Sequence, residues 1–124
     1  MISRIWHGWT KAQDADEYEG MLRADMLPGI ARVAGYQGAY LLRRDAGDEV
    51  EFVTITQFDD LDAVRAFAGE DYTRAVIHPP ARKLLTRFDE RSVHYETVLT
   101  AAQVRDLARV TSSRSRDART VERP

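Results

Sequence analysis

The sequence predicts an α+β domain with the element order β-α-β-β-α-β, and three observations carry that prediction. Four segments, Ile2–Trp9, Tyr36–Arg43, Phe52–Phe58 and Arg91–Leu99, alternate side chains with the two-residue period of strands and are rich in β-branched and aromatic residues. Two segments between them repeat apolar residues at helical spacing. Asp45-Ala46-Gly47-Asp48 is a turn signal that joins the second and third strands as a hairpin. This order is the split βαβ arrangement of ferredoxin-like folds, a four-stranded antiparallel sheet with helices on one face.

The first strand puts Ile2, Arg4 and Trp6 on one face and Ser3, Ile5, His7 and Trp9 on the other. Asp14 and Glu17 have the spacing of a capping box, and the helix after them turns Tyr18, Met21, Leu22 and Met26 inward. Leu27-Pro28-Gly29 is expected to interrupt that helix, because proline lacks the helical donor, and Ile30–Val33 to add one further turn. In the third strand Val53, Ile55 and Gln57 oppose Phe52, Thr54, Thr56 and Phe58. Asp59 then caps a helix with Leu61, Val64, Phe67 and Ala68 on one side, and Gly69 can close it with positive φ. Pro79-Pro80 opens a second helix whose apolar side is Ala81, Leu84, Leu85 and Phe88. The fourth strand opposes Val93, Tyr95 and Thr97 to His94, Glu96 and Val98. Thr100 and Gln103 can cap a short helix bearing Val104 and Leu107, and the stretch TSSRSRDARTVERP beyond it reads as disordered. Residues 1–99 are thus one domain and residues 100–124 an appended tail.

The totals bound the function. The 124 residues, 44% of them hydrophobic, suffice for one core. Eighteen basic residues against 20 acidic ones leave no nucleic-acid or membrane footprint, and no apolar run approaches spanning length. Six arginines against Asp106, Asp117 and Glu122 put residues 105–124 at +3 and the rest at −5 of the total −2. Cysteine is absent, which removes disulfides, thiol catalysis and thiolate metal sites. The three histidines have no metal-binding spacing, and there is no glycine-rich phosphate loop, so neither metal nor nucleotide cofactor is expected. The start, MISRIWHGWT, lacks the pattern of a signal peptide, and a cytoplasmic location is expected. Strands with apolar residues on both faces require a cover for the face without helices. A second copy is the simplest one, so a homodimer is expected.

The segments IWHGWT, LPGIARVAGYQGAYLLRR, VEFVTITQFDDLDAVRAFAGEDY and HYE resemble the antibiotic-biosynthesis-monooxygenase-like family over roughly Ile2 to Leu99. The resemblance implies a dimeric α+β barrel with a pocket between helices and sheet in each subunit. Its quinone-forming branch, which oxidises planar aromatic or polyketide-type substrates without a cofactor, uses an Asn, a Trp, a Tyr and an Arg. Tyr72 and Arg87 match the last two, Phe67 stands where the helix tryptophan would be, and this chain has no asparagine. The haem-degrading branch uses a first-strand Asn, the same Trp and a His after the second helix. His78 stands for that His, and His7 lies near the missing Asn.

Among residues able to carry chemistry, His78 is held extended by Pro79 as a general base or axial ligand, or is a solvent-exposed loop histidine. His94 points into the pocket if its face meets the helices, and into the interface between copies if it does not. His7 and Trp9, on one face, make an aromatic wall suited to a planar ligand, or belong to core or interface. Tyr72, after the Gly-Glu-Asp loop, is a pocket-mouth hydroxyl or a packing residue at the helix end. The enzymatic expectation assigns Tyr72 to position a phenolic substrate, His94 or His78 to take its proton, and Arg87 to stabilise developing charge, with His7, Trp9 and Phe67 against the ring. Ligand binding without turnover, and haem binding or breakdown, are the alternatives.

Overall fold

The computed structural model describes residues 1–118, with side chains described to residue 110. The strands are β1 (Ile2–Lys11), β2 (Tyr36–Ala46), β3 (Glu49–Phe58), β4 (Leu85–Phe88) and β5 (Val93–Glu96). The α-helices are α1 (Ala15–Met21), α2 (Leu27–Ala31), α3 (Leu61–Ala68), α4 (Pro79–Arg82) and α5 (Ala101–Ala118). All strand pairings are antiparallel, in the order β2-β3-β1-β4, with β5 also on β1. β4 pairs with Gly8–Thr10 and β5 with Ile2–Ile5, so two short strands share the edge position expected for one.

Asp89 explains that division. Its backbone N–H donates to the His7 carbonyl (2.9 Å), and its own carbonyl accepts from Trp6 Nε1 (2.8 Å). Its carboxylate accepts from the His7 backbone N–H (3.0 Å) and meets His7 Nδ1 (2.7 Å). A side chain thus takes over part of the ladder where the edge strand breaks, and both backbone polar groups of His7 are paired there.

Several local expectations are corrected. Leu85–Phe88 is a strand, not the apolar side of a helix: the Pro79-Pro80 helix ends at Arg82, and the free edge of β1 claims the next residues. Pro28 does not interrupt its helix. A π-helical turn at Leu22–Met26 precedes it, so Pro28 falls in the first turn of α2, where its missing N–H costs nothing. Asp14 makes no side-chain cap, because its backbone is already helical and a 3₁₀ turn, Ala12–Asp14, runs straight into α1. The α3 cap is Asp60, whose Oδ1 accepts from Ala63 N–H at 2.9 Å, and not Asp59, whose N–H donates to the Gly35 carbonyl at 2.8 Å. Gly69 ends α3 with φ +92°, as expected.

The Thr100–Gln103 cap forms reciprocally, with bonds of 2.9 and 3.2 Å. α5 then continues to Ala118, past the short helix expected, with Val104, Leu107 and Val110 half exposed. The final stretch expected to be disordered lies partly, from residue 119, outside the described residues. No helix among the described residues is long and apolar enough to cross a membrane.

Val50, Phe52, Thr54, Thr56 and Phe58 of β3 and Arg4, Trp6 and Thr10 of β1 face the helices, all of them buried. They meet two core clusters, one around Trp6, Tyr18, Leu22 and Phe52, the other around Ile30, Phe58 and Val64. Met26 packs against both, and the space between them is not filled.

Candidate functional site

That space is a partly open cavity of about 160 Å³. β1 and β3 supply its floor in register: Thr56 pairs with Arg4 and Thr54 with Trp6, and Arg4 pairs on its other side with His94 of β5. Tyr18, Met21, Leu22, Met26 and Ile30 of the first helical run cover it, and Phe67 of α3 closes one flank. Ile77, His78, Pro80 and Ala81 form the other side, with Ser92 beside them and Asp25, exposed on the π-helical turn, also in the lining. The wall is therefore aromatic and aliphatic, with a few polar groups converging on it, as in small-molecule pockets.

Arg4 is the unusual member. It is 4% exposed, yet among the described residues no carboxylate pairs with it. Its Nη1 donates to the Tyr72 carbonyl and its Nη2 to the Arg74 carbonyl (2.9 Å), which ties the loop after α3 to the sheet. Nη1 also lies 3.1 Å from His94 Nε2. A guanidinium can only donate, so that ring nitrogen accepts and the His94 proton sits on Nδ1. Burial lowers the pKa of Arg4 to about 10. Burial, with the positive Arg4 beside it, also holds His94 below the ordinary imidazole value. The Tyr18 phenol is raised by burial alone, which keeps it a proton donor. A buried cation held by carbonyls and a neutral imidazole is strongly undercompensated, and a bound anion would complete it.

Ser92 stands out for the opposite reason. It is 5% exposed and lines the cavity, and its Oγ is without a partner among the described residues.

The structure brings together some of the sequence-predicted site residues. Phe67 and His78 line the cavity, with His78 exposed at the start of α4. His94 and Tyr72 stand behind Arg4, with their rings edge to face at 5.1 Å, and the Arg65 guanidinium lies over the Tyr72 ring. Neither of these two lines the cavity. His7, Trp9 and Arg87 are on the other face of the sheet, where Arg87 lies 3.9 Å over the Trp9 ring and pairs with Glu49. They form an aromatic wall as expected, but with their backs to the cavity. The alternation of β1 decides this, because Trp6 faces the helices and its neighbours of odd number cannot. Arg4, Ser92 and Thr54 were not singled out from sequence, although a charged residue between Ile2 and Trp6 on an apolar strand face is the signal that marks Arg4. Among the described residues no group of three His, Asp or Glu side chains is placed to hold a metal ion.

No family model matches the chain, and no curated protein does. Solved structures do. SnoaB, a cofactor-independent oxygenase from Streptomyces nogalater, superposes with a TM-score of 0.56 at 23% identity, over 81% of this chain and 96% of that one. MhuD from Mycobacterium tuberculosis, a haem-degrader with two haems bound in its active site, gives 0.57 at 21% identity, over 82% and 99%. A protein described as an antibiotic biosynthesis monooxygenase gives 0.58 at 22% identity, over 80% and 100%. The chain has the α+β fold of the antibiotic biosynthesis monooxygenase-like proteins.

Proposed function

We propose that the cavity takes up a small planar aromatic with an ionisable hydroxyl, and that the chain is a monooxygenase-like protein acting on it without a cofactor. The buried Arg4, which lines an otherwise largely apolar and aromatic cavity and pairs with no carboxylate among the described residues, carries this reading. Arg4 lowers the energy of the ligand's phenolate or enolate. Phe67, Trp6 and Tyr18 hold the ring in a site with little water, and His78 at the cavity edge is placed to accept the departing proton. The electron-rich anion then reacts with dioxygen. At a ring CH₂ carbon both C–H bonds break and a C=O bond forms, the second oxygen atom leaving as water, so the substrate supplies all the electrons. Tyr72 and His94 position Arg4 and the loop that bears His78, a role one step removed from the substrate. The test is oxygen uptake with a dihydroxynaphthalene, with a product that has gained one oxygen and lost two hydrogens. Binding without uptake would leave a ligand-holding protein.

That second reading draws on the sequence itself, which has no asparagine and has Phe67 where the resembled oxygenases have tryptophan. Haem is the least suited ligand: the cavity of about 160 Å³ is below the roughly 300–1,000 Å³ of drug-sized sites, although His78 lines it.

We also infer that a second copy covers the outer face of the sheet. The register aligns Tyr40, Ile55, Ile5 and Val93 in one apolar row across four strands. Tyr40 and Tyr95 are each 55% exposed, Val93 51% and Leu42 47%. A contiguous patch of that kind marks an interface. Placing a charge in the middle of it, Ile55→Glu, is expected to convert a dimer to a monomer in sedimentation equilibrium. A wild-type chain that sediments as a monomer would contradict the inference.

A further inference from the structure

We propose that Ser92 and Arg4 together seat one edge of the ligand, Ser92 donating its hydroxyl to one oxygen while Arg4 holds the charge on another. The ligand class is then narrower than an aromatic anion: it is an aromatic with two oxygens side by side, ortho or peri. The inference rests on the reading that the cavity is the ligand site.

Two independent observations support it. A buried hydroxyl that finds no protein partner is costly, and native proteins keep few of them. Among the described residues Ser92 Oγ is the one buried side-chain oxygen or nitrogen in that condition, and it lines the cavity. The second is Arg4, a buried cation in the same cavity, already bonded to two carbonyls and, among the described residues, without a carboxylate. The register relates them. Arg4 pairs with His94 of β5, and Ser92 immediately precedes that strand. Both residues line the same cavity. Two separate donors in one small cavity suit two neighbouring oxygens better than one. Ser92 itself is fixed, since its N–H donates to the Thr73 carbonyl at 2.6 Å. Thr54, opposite Trp6, is another hydroxyl of the floor and serves as the control.

The experiment is a calorimetric titration of the wild type, Ser92→Ala and Thr54→Val with 2,3-dihydroxynaphthalene and with 2-naphthol. The wild type is expected to prefer the paired-oxygen ligand by roughly three- to tenfold, in line with a neutral hydrogen bond. Ser92→Ala should bind both ligands alike, at the wild-type affinity for 2-naphthol, and Thr54→Val should keep the preference. Ser92→Ala should also melt no lower than the wild type without ligand, since the hydroxyl it removes has no structural partner. A preference that survives in Ser92→Ala, or a clear fall in its melting temperature, would overturn the inference and leave the aromatic site standing. Failure of the wild type to bind either naphthol would remove both.

Discussion

Arg4→Met is expected to abolish binding of a phenolic ligand and to destabilise the fold by about 2–4 kcal/mol. The binding loss follows from removing the only guanidinium among the cavity-lining residues. The stability loss has a separate origin. Two carbonyls of the loop after α3, those of Tyr72 and Arg74, and the ring nitrogen of His94 all accept from this one side chain. Methionine fills the space and offers no donor. Methionine also removes a buried, uncompensated cation, which offsets part of the cost and sets the upper bound. Urea denaturation measures the stability, and fluorescence titration with 2-naphthol the binding. A variant as stable as the wild type that still binds 2-naphthol would show that Arg4 neither anchors the loop nor faces a ligand.

Gly8→Ala is the second. Its added methyl would lie 2.4 Å from Trp6 Cη2 and 2.9 Å from Cζ3, with Leu85 Cδ2 at 3.1 Å on the far side. Gly8 pairs with both Phe52 and Phe88, so the backbone has no room to retreat. The Trp6 indole lies across the glycine and is held by its Nε1 bond to the Asp89 carbonyl. Displacing the ring turns it toward the cavity and breaks that bond, at a combined cost of about 2–4 kcal/mol. Ligand affinity should fall with stability, because the ring would occupy the ligand's space. Unchanged affinity with lowered stability would mean that the indole moves elsewhere.

The sequence made the order and pairing of the elements readable, because the two-residue alternation in β1, β2 and β3 and the Gly47-Asp48 turn are local signals. It could not say which face of each strand meets the helices. β1 and β3 carry large apolar residues on both faces, so parity alone left His7 and Trp9 as good candidates as Trp6. The segment Leu84–Phe88 misled for a related reason. Its apolar spacing and the preceding prolines fit a helix, and only the unpaired edge of β1 makes four of its residues a strand. The breaking of that edge by Asp89 is equally non-local, since it depends on a carboxylate meeting His7 82 residues away. Pro28 lacks the helical donor, but the π-helical turn that lets the helix run through it has no signature in composition. The cavity shows the same division. Phe67 and His78 can be named from a resemblance, whereas Thr54 lines the cavity only through the register of β3 on β1, and Ser92 only because the segment before β5 meets the cavity.

The most direct test of the account is the acidity of a bound phenol. 2-Naphthol absorbs at longer wavelength as its anion, so the protonation state of the ligand can be followed while it is bound. Arg4 stabilises the anion and the apolar wall penalises it, and the guanidinium is expected to prevail. The phenolate band of bound 2-naphthol should therefore appear at a pH below that needed in water, and in Arg4→Lys, which keeps a charge but not the paired donors, the shift should shrink. A bound naphthol that stays protonated to a higher pH than the free one would show that the cavity is simply apolar, and would contradict the claim that it is built for an aromatic anion.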